Sequence, residues 1–230
     1  MKTILYFLLF FSIAAFSQST FEKAEMLFAN KKYTEAKELF LEHLKSYPNH
    51  DKTIEYLGDI AGHQKDWDKA IFHYQKLKTT FPKTADYHYK YGGALGMKAK
   101  ESNKFKAIGM IGDVEESFLK AAALNKNHID TRWALVVLYL ELPGIIGGSE
   151  KKSQKYADEL MQISKVDGYL AKGYIEEYLK RYQKAETHYI NAHKTGNSNT
   201  TFQKLYNLYL NKLKNTPKAE KLKQDFSNGR

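Results

Sequence analysis

The residues of this sequence that could do catalytic or metal chemistry are scattered, and their spacing does not form a reactive site. None of the eight histidines belongs to a His-Glu-x-x-His zinc motif, and His188 and His193 lie five residues apart, on different faces of a helix. The adjacent carboxylates Glu115 and Glu116 diverge by about 100° on a helix, so they cannot share one substrate. The sequence therefore predicts no catalytic residues, no metal ligands and no cofactor.

The segment Gly147-Gly148-Ser149 has the composition of a phosphate-binding loop. However, no Gly-Lys-Ser/Thr follows it, and the surrounding sequence shows no parallel strands. A loop that ends in a helix N-cap at Ser149 is the better interpretation. We therefore predict that the protein is not an enzyme.

The first seventeen residues have the pattern of a secretory signal peptide. Lys2 precedes an apolar run from Ile4 to Phe16, and small residues lead up to an expected cleavage site after Ser17. This run is shorter than the roughly 18 residues that cross a bilayer, and no later segment comes close, so we expect no transmembrane segment. The mature chain, residues 18–230, is then periplasmic or secreted.

The balance of charged residues is basic, and cysteine is absent. The formal charge is +10, and it falls to +9 when Lys2 is removed with the leader. Without cysteine, an exported chain has neither a disulfide framework nor a thiolate metal site. Because an exported protein rarely meets nucleic acid, we expect no nucleic-acid partner; anionic envelope surfaces or acidic proteins match the charge better.

A repeat of 34 residues organises the chain. The segment Tyr33-Thr-Glu-Ala36 recurs 34 residues later as Trp67-Asp-Lys-Ala70, and a third copy begins at Tyr182. An aromatic residue follows each alanine after four residues, and Gly58, Gly92 and Gly173 recur in the preceding segments. Small residues that recur at the same position of each helix pair indicate that the two helices pack closely.

This pattern resembles the tetratricopeptide-repeat (TPR) family, whose repeat is a pair of antiparallel helices. The resemblance covers most of residues 20–215 and implies an all-α fold, a right-handed superhelix of about five helix pairs in one domain, 18–230, with capping helices over 200–227. The stretch from Phe118 to the Pro143-Gly-Ile-Ile-Gly-Gly-Ser149 loop is similar to a subgroup of exported bacterial TPR proteins.

Two repeats carry about nine or ten extra residues between their helices, near 98–112 and at 143–148. In the first insert, Asp113 and Glu116 form a possible capping box, so we expect the next helix to begin there. Turns within repeats emerge on one edge of a solenoid, so the inserts should be neighbours. They would form an apolar platform at that edge, or simply pack on each other: Ile108, Met110, Ile111, Pro143, Ile145 and Ile146.

In TPR proteins the first helix of each repeat lines a concave groove, and the matching positions give our candidate site. Its members are acids, aromatics and a few other residues: Glu25, Phe28, Glu55, Asp59, His63, Tyr89, Met97, Trp133 and Glu141. Over four repeats the groove positions hold six acids against Lys52 alone. This composition does not match the carboxylate clamp of chaperone-binding TPRs, which needs lysine, asparagine and arginine.

The resemblance and the composition together favour an exported scaffold or adaptor that binds a protein or peptide partner in its groove. We expect the acids of the groove to bind a basic, partly aromatic segment of the partner. Phe28, Tyr89 and an open Trp133 of this chain would anchor that segment. The alternative is a binder of anionic envelope polymers or lipid headgroups, which would use a basic convex surface. The sequence does not indicate the oligomeric state.

Overall fold

The computed structural model describes residues 19–228, which fold as helices joined by short turns. The signal peptide expected over residues 1–17 lies outside the described residues. In the described part of the chain there are twelve α-helices and no strand: α1 (Thr20–Ala29), α2 (Tyr33–Ser46), α3 (Asp51–His63), α4 (Trp67–Thr80), α5 (Ala85–Glu101), α6 (Lys104–Leu124), α7 (Ile129–Glu141), α8 (Glu150–Ile163), α9 (Lys165–Tyr178), α10 (Tyr182–Gly196), α11 (Asn199–Asn207) and α12 (Thr216–Asn228).

Five helix pairs stack side by side, and the last two helices close the stack. The pairs are α1 with α2, α3 with α4, α5 with α6, α7 with α8, and α9 with α10. Helix α11 continues through a π-helical turn, Leu208–Lys212, before α12 packs beside it. The all-α repeat architecture predicted from the sequence is confirmed.

In three of the five pairs, an aromatic ring of the second helix fits against a glycine of the first. A Cβ atom added to Gly58 would lie 2.5 Å from Tyr74, and one added to Gly173 would lie 2.3 Å from Tyr189. Such distances are far below van der Waals contact, so only glycine permits these approaches. The close packing predicted at the recurring glycines is therefore confirmed.

Several helix N-termini are capped by side chains, and this accounts for two of the histidines. His50 Nδ1 accepts the backbone N–H of Thr53 at 3.3 Å, and His128 Nδ1 accepts that of Thr131 at 3.2 Å. Ser149 accepts the N–H of Lys152, which confirms the N-cap expected there. These groups stabilise the starts of their helices.

The first insert differs from the expected loop. Helix α6 begins at Lys104, where Asn103 is the N-cap, so the expected helix start at Asp113 with its capping box is wrong. Segment 98–112 instead lengthens α5 and α6 into a longer helical hairpin. The second insert is a loop with a short 3₁₀-helix, Gly144–Ile146. No helix of the described residues is long and apolar enough to cross a membrane.

Candidate interaction groove

The first helices of the five pairs, α1, α3, α5, α7 and α9, form the candidate groove. Polar side chains join neighbouring first helices across it. The Tyr56 hydroxyl donates to Glu25 at 3.0 Å, Lys90 Nζ donates to Asp59 at 2.6 Å, and Tyr174 donates to Glu141 at 2.9 Å. These bonds fix the spacing of the repeats and orient the carboxylates that the sequence predicted.

At the N-terminal end, Phe28 belongs to an aromatic cluster. Its ring lies 4.8 Å from Tyr56 and 5.4 Å from Tyr33, measured between centroids. His63 stacks on Tyr33 at 4.6 Å with the planes 11° apart. Phe28 is half-buried and His63 exposed, so this end presents a partly covered aromatic surface.

Glu55 and Asp59 share one lysine. Lys90 Nζ lies 2.8 Å from Glu55 and 2.6 Å from Asp59, and the Tyr74 hydroxyl also donates to Asp59. Burial alone would raise the pKa of Glu55, but Lys52 and Lys90 outweigh it and the pKa is lowered. Glu55 is therefore ionised at neutral pH, and Lys90 offsets part of its charge.

The middle of the groove combines an anchored ring with open space. Tyr89 is half-buried, with its ring 5.2 Å from His128 and 6.0 Å from Phe118. Met97 is exposed. A Cβ atom added to Gly93 would meet nothing within 4 Å. A peptide chain could approach α5 closely at this glycine.

Trp133 is less open than the sequence analysis expected. Its indole Nε1 donates to Asp167 Oδ1 at 2.9 Å, and its ring meets Tyr174 edge-on at 6.5 Å. The side chain is half-buried between α7 and α9 and contacts the core clusters on both sides. Trp133 thus connects two repeats as well as bordering the groove.

The C-terminal half of the groove carries a second aromatic cluster. Tyr174 lies 6.5 Å from the exposed Tyr178, and Lys204 stands over the Tyr174 ring at 5.9 Å. Glu141 accepts from Tyr174 and pairs with Lys100 at 2.9 Å. Burial and Glu141 raise the pKa of Tyr174, so its hydroxyl remains a donor.

Among residues 19–228, no three His, Asp or Glu side chains converge as a metal site. His43 shows how the histidines are used instead. Its ring lies 4.9 Å from His50 and 4.7 Å from Tyr47. Burial, and then the charge of His50, lower the pKa of His43, so it is a neutral packing residue at pH 7.

Residues 55–84, which span most of α3 and all of α4, match the tetratricopeptide repeat model. A thermophilic TPR protein of Thermus thermophilus, TTC0263, has a similar structure. It is 14% identical, with a TM-score of 0.68, and the match covers 84% of this chain and 98% of that chain. The chain folds as a TPR solenoid.

Two other TPR structures are similar. PilW, a type IV pilus biogenesis factor, is 13% identical, with a TM-score of 0.66 over 91% of each chain. YrrB, described as a TPR protein with an unusual peptide-binding site, is 13% identical, with a TM-score of 0.54 over 79% of this chain and 87% of that chain. No curated protein sequence matches the chain.

Four residues of the TPR groove escaped the sequence analysis: Lys90, Asp167, Tyr174 and Tyr178. Lys90 stands one place after the expected groove position Tyr89, so the family's usual positions passed over it. The other three belong to α9, where the step between repeats is 28 residues from Met161 to Tyr189, so the 34-residue spacing does not assign groove positions there. The recurring glycine at Gly173 was the signal that could have fixed the register of α9.

The edge residues of the TPR solenoid divide into two groups. Ile145, Pro143 and Ile108 are exposed, whereas Met110, Ile111 and Ile146 are partly buried. Met110 packs against the largest core cluster. The exposed members are therefore the ones that remain available for an interaction.

Proposed function

We propose that this chain is an exported scaffold whose concave groove binds a basic, partly apolar segment of a protein partner. The observation that carries this proposal is the arrangement of Glu141, Tyr174 and Tyr178 on α7 and α9. Tyr174 donates to Glu141 at 2.9 Å and lies 6.5 Å from Tyr178, so an exposed aromatic ring stands near a carboxylate. Export, with cleavage after Ser17, forms part of the proposal and rests on the sequence pattern of residues 1–17.

The charge of the groove favours a basic segment. Lys90 and Lys100 offset part of the acidic charge, since they pair with Glu55, Asp59 and Glu141. Other carboxylates accept from uncharged tyrosine hydroxyls, which offset no charge. Glu25 accepts from Tyr56 at 3.0 Å, and Glu177 on α9 accepts from Tyr189 at 2.8 Å.

Aromatic rings beside these acids suit lysine or arginine. A cation over the face of a tyrosine is attracted by the ring, and a nearby carboxylate adds to that attraction. In this chain, Lys204 already stands over Tyr174 at 5.9 Å, so the ring accepts a cation of the protein itself. The exposed Tyr178 offers a similar ring to a partner.

The similar structures support a binding role. YrrB is described as having a peptide-binding site, and PilW as a pilus biogenesis factor. At identities of 13% these proteins share the fold alone, so the identity of the partner has to come from experiment. We assign no catalytic residue, metal or cofactor to this chain.

Peptide selection tests the proposal directly. A randomised peptide library is selected on the immobilised chain, and enriched peptides are measured by fluorescence anisotropy. We expect lysine or arginine next to apolar residues. Because Tyr178 supplies an exposed ring and Glu141 a charge, Tyr178→Ala and Glu141→Gln should each weaken binding about tenfold, or about 1.4 kcal/mol.

Phe72→Ala is the matched control, because Phe72 is exposed on α4 outside the groove. It should leave the affinity unchanged. Enrichment of acidic peptides, or equal binding to wild type and both groove variants, would show that the groove does not bind a basic segment.

A further inference from the structure

One edge of the solenoid combines protruding apolar side chains with a row of lysines. This turn edge consists of the turns within the five helix pairs, at residues 30–32, 64–66, 102–103, 142–149 and 179–181. Antiparallel pairs place all five turns on the same side. Phe105 and Ile145 are 91% and 95% exposed there.

These two side chains differ from other exposed apolar residues. Tyr47 and Phe72, which lie elsewhere, are 58% and 66% exposed, because their rings still rest partly on the protein. An almost fully exposed phenylalanine or isoleucine has no folding benefit. Its place on a projecting element makes it available for contact with something outside the chain.

The hairpin that carries Phe105 projects beyond the neighbouring turns. Helix α5 has 17 residues and α6 has 21, whereas α3 and α4 have 13 and 14. At about 1.5 Å per residue, the extra turns lift the tip by roughly 6–10 Å. The 3₁₀ loop with Ile145 belongs to the next repeat on the same edge.

Three lysines of this edge have a left-handed backbone conformation, which is unfavourable for lysine. Lys31, Lys65 and Lys180 stand in equivalent turns with φ of 59°, 57° and 60°. Glycine or asparagine adopts this left-handed region at lower cost. All three lysines are exposed, so packing does not account for them.

Three further lysines stand at helix starts on the same edge. Lys104 and Lys106 lie in the first turn of α6, and Lys151 lies in that of α8; all are exposed. A helix N-terminus favours acids over lysine because of the helix dipole. These six lysines therefore stand where either the backbone conformation or the helix dipole disfavours lysine.

Many acids of the edge are paired with its other basic residues. Asp66 pairs with Lys69, Asp68 with Lys98, Glu141 with Lys100, and Glu150 with Arg181. Glu35 and Glu101 are exposed acids nearby. The edge carries these two acids and the six lysines at left-handed turns and helix starts, so its net charge is positive.

We propose that the turn edge docks on an anionic membrane surface. Phe105 and Ile145 enter the boundary between headgroups and acyl chains, which interfacial apolar residues reach to about 5–10 Å. The lysine row lies along the headgroups, where anionic lipids attract it. Phe105, Ile145 and the six lysines lie outside the groove positions on the first helices, and the edge adjoins the groove at Glu141.

Vesicle co-sedimentation of residues 18–230 tests this docking, since the described residues form a continuous folded unit and circular dichroism can check each variant. Phosphatidylcholine vesicles are used with and without phosphatidylglycerol. We expect binding to the anionic vesicles that weakens at about 0.5 M salt. Phe105→Ser combined with Ile145→Ser should lower the partition coefficient about tenfold, because the apolar insertion is lost.

Replacement of the three turn lysines by glutamine, at Lys31, Lys65 and Lys180, should also lower binding to anionic vesicles. The matched control makes the same change at exposed lysines outside this edge, Lys45, Lys83 and Lys126. Phe72→Ser controls for the loss of an exposed ring. Both controls should bind like wild type.

Three results would overturn the docking proposal. The first is equal binding of wild type to neutral and anionic vesicles. The second is unchanged binding of the edge variants, or an equal loss in the controls. The third is a dimer of this chain in sedimentation velocity that Phe105→Ser abolishes, together with no binding of wild type to vesicles. That result would show that the edge joins two copies of the chain.

Discussion

At the scale of single residues, the solenoid depends on glycines that face aromatic rings. Gly58 meets Tyr74, Gly92 meets Phe118, and Gly173 meets Tyr189. Glycine inside a helix costs roughly 1 kcal/mol relative to alanine. Here that cost is offset, because the missing Cβ lets a large ring fill the space between two helices.

Two glycines in first helices should therefore respond oppositely to alanine. Gly173→Ala places a Cβ 2.3 Å from Tyr189 Cε1, so overpacking should lower the free energy of unfolding by about 1–3 kcal/mol despite better helix propensity. In Gly93→Ala the new Cβ meets nothing within 4 Å, and stability should rise by up to about 1 kcal/mol. Urea denaturation followed by circular dichroism measures both. Equal changes in the two variants would contradict the packing argument.

The tyrosine hydroxyls show how this chain uses carboxylates. Burial and then the charge of Asp59 raise the pKa of Tyr74. Burial and then the charge of Glu177 raise the pKa of Tyr189. Both hydroxyls therefore stay protonated and donate to carboxylates throughout the neutral range. Tyrosine hydroxyls of second helices thus hold carboxylates of the first helices in place.

At the scale of elements, the repeat predicted several helix starts well. Helices α2, α4 and α10 begin at Tyr33, Trp67 and Tyr182, the first residues of the three motif copies. The start of α6 was missed because Gly109 and Gly112 suggest a loop. Packing of this helix, for example by Val114 and Met110 against the core, overrides the weak propensity of its glycines.

The register of α9 could not be read from the sequence because one residue serves two helices. Ser164 is the C-cap of α8 and the N-cap of α9, and it accepts the N–H of Asp167. The usual turn between repeats is therefore absent at this join, which shortens the step to 28 residues between Met161 and Tyr189. The same join brings Asp167 opposite Trp133, a contact between residues 34 apart that the motif spacing did not predict.

The two tryptophans give a test of that contact. Trp133→Phe removes the N–H that Asp167 accepts and should lower the free energy of unfolding by about 1–2 kcal/mol. Trp133→Ala should cost about 3 kcal/mol, since the ring also packs between α7 and α9. Thermal and urea unfolding monitored by circular dichroism would give these values.

Trp67 is the matched control for Trp133. Its Nε1 is buried and has no hydrogen-bond partner among the described residues. Trp67→Phe therefore removes an unsatisfied donor and should be neutral or slightly stabilising. If Trp67→Phe costs as much as Trp133→Phe, ring volume explains both results and the Asp167 hydrogen bond contributes little.

At the scale of the whole molecule, charge is divided between surfaces. The first helices carry the acids of the groove, while the turn edge carries lysines around two apolar tips. On our two proposals, the edge holds the solenoid at a membrane and the groove, beside it, holds a protein segment. The net charge of +10 is therefore not the charge of either surface. The fold places the acids and these lysines on different parts of the molecule.

The C-terminal helices close this solenoid, and their removal should show how much it depends on a cap. Ala219 of α12 is fully buried in a cluster with Tyr189, Leu205 and Tyr209, and Phe226 stacks on Phe202 at 4.4 Å. Deletion of residues 216–230 would expose these apolar surfaces, because a terminal repeat needs a covering helix.

We expect the deletion to lower the melting temperature by about 5–10 °C, given that 1 kcal/mol shifts it by about 2–4 °C at this size. It should also increase binding of a dye that reports exposed apolar surface. Phe226→Ser keeps α12 and should cause a smaller drop, whereas Lys221→Ala, at an exposed position of the same helix, should cause none. A deletion variant that melts like wild type would mean that α12 is an appendage and that α11 alone closes the stack.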